Sequence, residues 1–104
     1  MNDSPAPLLT VVVNLRFESY DVYIGRPSIF GNPFYIGRDG TRTEVLAKYR
    51  RWLAKADSPQ AQRIIEAIKS GQLDNKRLGC FCSPLPCHGD VLLDLVLSRV
   101  KKGE

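Results

Sequence analysis

All three cysteines and the only histidine of this chain fall within nine residues, Cys80 to His88, of the segment LGCFCSPLPCHGD. Thiolate sulfur and imidazole nitrogen are the donors zinc prefers, and three cysteines with one histidine complete a tetrahedral site without a water. In extended backbone Cys80 and Cys82 project to one face, and a turn favoured by Pro84 and Pro86 returns Cys87 and His88 toward them. Zn2+ held by Cys80, Cys82, Cys87 and His88 is therefore the first chemistry expected of the segment. One residue separates Cys80 from Cys82 and none separates Cys87 from His88, so the spacing departs from a Cys-x-x-Cys knuckle and chelation by both close pairs is strained. Two other readings stay open. Cys87 precedes a helix whose N-terminal dipole lowers a thiol pKa, and with His88 beside it Cys87 makes a reactive thiol that needs no metal. Alternatively the cysteines are small buried hydrophobes and His88 a loop residue. If the centre is catalytic, a three-ligand zinc activates water and Asp90 is the acid/base residue.

A second polar segment, YIGRPSIFGNPF from Tyr23 to Phe34, combines Gly25, Arg26, Ser28, Gly31 and Asn32. Exposed amides can nest an oxyanion and Arg26 can grip it bidentately, although neither a Walker pattern nor Gly-x-Gly-x-x-Gly is present. The same Gly-Asn-Pro sequence also makes a good turn, with Asn32 held extended by the proline that follows. Asn14 and Arg16, leaving the first strand, are placed to close onto this loop, or to fix it.

These residues need a scaffold, and hydrophobic periodicity supplies one. Leu8 to Leu15 is a β-branched, largely apolar run expected of a central strand covered on both faces. Asp21 to Gly25 is a second strand. The five residues Arg16 to Tyr20 between them are too few for a helical crossover, so an antiparallel hairpin is expected. Thr41 to Lys55 starts with Thr41 or Thr43 as its capping threonine and carries Val45, Leu46, Tyr49, Trp52 and Leu53 at helical spacing. Its basic outer face, Arg42, Lys48, Arg50, Arg51 and Lys55, is read as a solvated surface ahead of a phosphate site. Ser58-Pro59 opens a second helix that Gly71 ends. Arg77 to Phe81 is a third strand, parallel to the first, and Asp90 caps or opens a final helix. The expected fold is a small α/β sandwich of order β-β-α-α-β-α, a three-stranded mixed sheet with about three helices. Ligands of such sheets collect at the carboxyl ends of parallel strands, where Cys80, Cys82 and His88 belong.

A chain of 104 residues makes one domain, expected over residues 8–101 between a disordered N-terminal tail (1–7) and a short C-terminal tail (102–104). Apolar residues at 43% and charged residues at 25% suit a folded globular chain rather than disorder. The longest apolar run is broken by Asp94, so no membrane partner is expected. Residues 1–7 lack a secretory pattern and the cysteine count is odd, which together point to the cytoplasm. A formal charge of +4 suits an anionic ligand or simple solubility. Leu92, Leu95 and Leu97 suit either the domain's own sheet or a twin subunit, so oligomeric state is unreadable.

The blocks Val13-Asn14-Leu15-Arg16, Asp21-Val22-Tyr23-Ile24-Gly25-Arg26-Pro27, Gly31-Asn32-Pro33-Phe34 and Leu78-Gly79-Cys80-Phe81-Cys82 with Cys87-His88-Gly89-Asp90 closely resemble domain-of-unknown-function family 4326 of phages and bacteria. Phe81 stands where the family usually has tryptophan. The resemblance spans nearly the whole chain, implies a phage context with the host cytoplasm as its compartment, and puts Arg26, Asn32, Cys80, Cys82, Cys87, His88 and Asp90 in the family's polar motifs. It implies no substrate. The resulting expectation is a zinc-binding protein whose metal site faces the Gly25 to Phe34 loop across a pocket for a nucleotide, nucleobase or nucleic-acid end. The alternatives are a non-catalytic module with structural zinc that binds nucleic acid or a host protein, and a Cys87 thiol enzyme without metal.

Overall fold

The computed structural model describes residues 9–83 and 85–102; the expected tail at 1–7, the start of the first predicted strand at Leu8, Pro84 and residues 103–104 lie outside them. The elements run β1 (Val11–Asn14), β2 (Val22–Tyr23), α1 (Arg42–Lys55), α2 (Pro59–Lys69), β3 (Arg77–Cys80) and α3 (His88–Lys102), in the predicted order. Among the described residues, no helix is long and apolar enough to cross a membrane.

The sheet is parallel rather than mixed. Its order is β1-β3-β2, and β3 pairs in parallel with both neighbours, Val12 and Val22 each opposite Leu78. The expected β1–β2 hairpin does not form, and β1 is an edge strand with Val11 exposed rather than the covered centre. Short strands are the reason. A helical crossover is needed to return along a strand of ordinary length, but a stretched residue spans about 3.3–3.6 Å, so a few residues suffice to run back along β3, which has four. The chain turns after β1 through Phe17 and Glu18 N–H groups donated to the Asn14 carbonyl. It is tied down at the far end of β3, where Asp21 exchanges backbone and side-chain bonds with Arg77. In between, Tyr20 lies over Gly79, where a Cβ would sit 2.7 Å from the Tyr20 ring. That close approach requires glycine in the central strand.

Leu78 and Cys80, on the opposite face of β3, enter the main core with Tyr49 and Leu53 of α1, Ile64 and Ile68 of α2, and Leu92 and Val96 of α3. Each helix is amphipathic and begins where a local signal starts it. Thr41 caps α1 in a reciprocal box, its hydroxyl accepting from the Glu44 N–H while the Glu44 carboxylate accepts from the Thr41 N–H. Ser58 caps α2 with Pro59 in its first turn, and Gly71, at φ +84°, follows its C-cap. α3 begins at His88 rather than Asp90 and runs through Lys102, so it takes in the start of the expected tail. The basic face of α1 is partly engaged: Lys48 donates to the Asp39 carbonyl and Arg50 pairs with Asp94.

Replacing Gly79 with alanine is expected to cost about 1–3 kcal/mol in denaturant unfolding through overpacking. Adding Tyr20→Ala should recover part of that loss, since it removes the group the new methyl meets. Additive losses in the double variant would mean that Tyr20 does not cross Gly79.

Candidate functional site

β3 ends at Cys80, and a turn closed by the Leu85 N–H on the Cys82 carbonyl at 2.7 Å reverses the chain toward α3. Asn14 holds this turn from the end of β1, donating to the carbonyls of Ser83 at 2.9 Å and Phe81 at 3.3 Å. The reversal sets Cys87 immediately before α3. Its Sγ accepts the Gly89 N–H at 3.3 Å, and its own N–H is received by the Asp90 carboxylate at 3.0 Å. Cys87 thus stands at the cap position of α3 with sulfur as the acceptor for the N2 amide, and Asp90 at N3 reaches back to the cap N–H.

The same reversal brings the Cys87 sulfur to 3.3 Å from that of Cys80. Both are free thiols and both are buried. The adjacent Cys87 thiol, helped by the backbone N–H groups of Ser83 and Cys82, favours charge on Cys80 and brings its pKa down to about 6. Cys87 moves the opposite way, because its proton is held between the sulfurs and burial opposes a second charge. The pair therefore loses one proton readily and retains the other.

His88 joins this segment to the other motif. Its Nε2 lies 2.6 Å from the Ile24 carbonyl at the end of β2, so that nitrogen carries the proton and Nδ1 is the one left to accept or ligate. The ring also meets Tyr49 edge to face, and burial holds its pKa below the ordinary histidine range.

Beyond Ile24 the loop is fixed from within. Gly25 leaves room for the Tyr23 hydroxyl, which donates to the Arg26 carbonyl at 2.6 Å; a Cβ on Gly25 would stand 2.5 Å from that oxygen. Arg26 donates through Nε to the Asn32 carbonyl and through Nη2 to that of Phe34, and stacks 3.8 Å from the Tyr35 ring centre. Asn32 is buried, bonded to the Val45 carbonyl of α1 and to the Phe34 N–H. These two residues build the loop before they can serve a ligand.

The two segments enclose a pocket of about 530 Å³ at the carboxyl ends of β2 and β3. Gly25, Arg26, Asn32, Cys80, Cys82, Cys87 and His88 all line it. Asn14, Arg16, Ser28, Gly31 and Asp90 are not among its lining residues. Asn14 holds the turn behind it, Arg16 lies over the Phe81 ring, and Gly31 packs on the Arg26 side chain. The Ser28 hydroxyl is buried without a hydrogen-bond partner among the described residues. Asp90 is exposed and turned to the helix cap.

Among the described residues, no three His, Cys, Asp or Glu side chains stand together as a group able to hold a metal ion. The pocket also takes walls the sequence reading passed over, Tyr23, Phe34, Tyr35 and Phe81, together with Arg42 of α1, whose Nη1 donates to the Pro86 carbonyl. The signal in the chain is the pair Phe34-Tyr35 directly after Gly31-Asn32-Pro33, with Tyr23 and Phe81 at strand ends.

Asn32→Ala should lower stability by about 1–3 kcal/mol, because it orphans buried backbone partners, and Asp90→Ala by about 0.5–2 kcal/mol as a cap loss. Urea unfolding checks both. An ultraviolet thiolate titration of reduced protein should show one thiolate appearing near pH 6 and a second well above the ordinary thiol range. Three unshifted titrations would contradict the shared proton.

The description "Domain of unknown function (DUF4326)" matches residues 13–98, which include both motif segments. The chain is 36% identical over 103 residues to an uncharacterised 12.4 kDa protein in the nrdA-td intergenic region of Enterobacteria phage T4, covering 91% of this chain and 84% of that protein. No solved structure matches the chain. With its family pattern spanning the pocket and a phage protein as relative, the chain belongs to the DUF4326 family.

Proposed function

We propose that the pocket binds a mononucleotide, free or at the end of a nucleic acid, in the cytoplasm of a phage host. One observation carries the reading: the two polar motif segments converge on a single concavity whose walls are aromatic and whose rim carries arginine. Its volume of about 530 Å³ lies in the range of small-molecule sites, roughly 300–1,000 Å³. Its place at the carboxyl ends of parallel strands is where α/β sheets take ligands. Tyr23 and Phe81 meet edge to face at 6.5 Å and offer π-surface to a planar ring. Arg42 and the Nη1 of Arg26, which makes no hydrogen bond among the described residues, supply charge for a phosphate.

A thermal-shift series with mononucleotides, the matching nucleosides and inorganic phosphate tests this. Mononucleotides should raise Tm most, nucleosides less and phosphate alone not at all. Phe81 is half exposed, so Phe81→Ala should leave the fold intact and weaken binding by roughly tenfold, near the 1–3 kcal/mol typical of one stacked base. Arg42→Gln should weaken mononucleotide binding and flatten its salt dependence. No shift from any nucleotide, or an equal shift from phosphate alone, would overturn the proposal.

The thiols support a second reading, a zinc ion held by Cys80, Cys82 and Cys87 with Nδ1 of His88. Three thiols line one pocket and two of their sulfurs are already adjacent, although a metal would have to draw Cys82 and His88 into place around them. Metal analysis of protein purified without added zinc should then find roughly one equivalent, lost in Cys82→Ser. Folded wild-type protein free of metal would remove this reading.

A further inference from the structure

We propose that Cys80 and Cys87 form a redox-active dithiol that reduces a small disulfide entering the pocket and closes into an intramolecular disulfide. The inference rests on the position of the sulfurs and is independent of the nucleotide reading.

The sulfurs stand 3.3 Å apart and both cysteines line the pocket, so a small molecule approaching either one also approaches its partner. A disulfide needs about 2.05 Å between sulfurs, so closure requires a modest side-chain movement and no new fold. The cap gives a second reason. Sulfur is a weak hydrogen-bond acceptor, and serine, threonine, aspartate or asparagine would hold the Gly89 N–H more strongly. Helix capping therefore does not explain a thiol at position 87, whereas a reactive partner for Cys80 does. In a reducing compartment such pairs rest as thiols and form disulfides transiently.

The exchange balances through two displacements. Cys80, whose sulfur lies 3.3 Å from that of Cys87, attacks one sulfur of the small disulfide. This forms a mixed disulfide and expels one small thiolate. Cys87 then attacks the Cys80 sulfur, breaking the mixed bond and expelling the second. Two protein thiols are oxidised, one disulfide is reduced, and the two protein protons leave on the two released thiols. Asp90 opposes negative charge on either cysteine, Tyr49 faces Cys87, and Cys82, His88, Arg26 and Arg42 share the pocket.

Reduced, chelator-treated protein incubated with oxidised glutathione, then analysed by intact mass and non-reducing peptide mapping, tests the proposal. Wild type should lose two hydrogens, link Cys80 to Cys87, keep Cys82 as a thiol and release two glutathione molecules per chain. Cys87→Ser, in which the hydroxyl keeps a cap, should stop at a stable glutathione adduct on Cys80. Adducts confined to Cys82, or Cys80 and Cys87 both unreacted in folded wild type, would overturn it, and the wild-type map decides the matter even if Cys87→Ser fails to fold.

Discussion

The constraint on which the rest depends is the placement of β3 between two parallel neighbours. Its carboxyl end puts Cys80 in the middle of the sheet edge, with Asn14 arriving on one side and Ile24 on the other. From there the chain must reverse, and the Cys82–Leu85 turn delivers α3 back against the edge it has just left. Cys87 then lies over Cys80, and His88 reaches the Ile24 carbonyl. Segments distant in the chain become one wall because the central strand is shared.

The thiol pair and the aromatic walls follow from the same arrangement. Arg26 and Asn32 stiffen the loop from within, so the pocket has a frame that does not wait for a ligand. Such preorganisation lowers the ordering cost that binding would otherwise carry. The same frame limits what these residues can offer: the amide of Asn32 is tied at both its nitrogen and its oxygen, and Arg26 has one terminal nitrogen left among the described residues. Recognition shifts toward Arg42 and the exposed rings.

Much of this was legible in the chain. Thr41, Ser58-Pro59 and Gly71 mark helix ends through local backbone chemistry, so α1 and α2 could be read almost to the residue. The clustering of cysteines with His88 located one wall of the pocket, and its meeting with the Gly25 to Phe34 loop was expected from the strand ends. The β1–β2 relation was not legible. It depends on Tyr20 crossing Gly79, a tertiary contact that no periodicity encodes, and on strands too short for the usual crossover rule. The role of Asn14 was equally hidden, because an amide that holds a turn has the same residue type as one that meets a substrate, whereas for Asp90 a capping role and an acid/base role both stood open.

Backbone amide shifts during a single nucleotide titration test the central claim most directly, namely that both motif segments form one ligand pocket. The amides of Gly25, Asn32 and Ile36 should move together with those of Phe81, Cys82 and His88, along one binding curve. Movement confined to one segment, or to the basic outer face of α1 around Arg51 and Lys55, would contradict it.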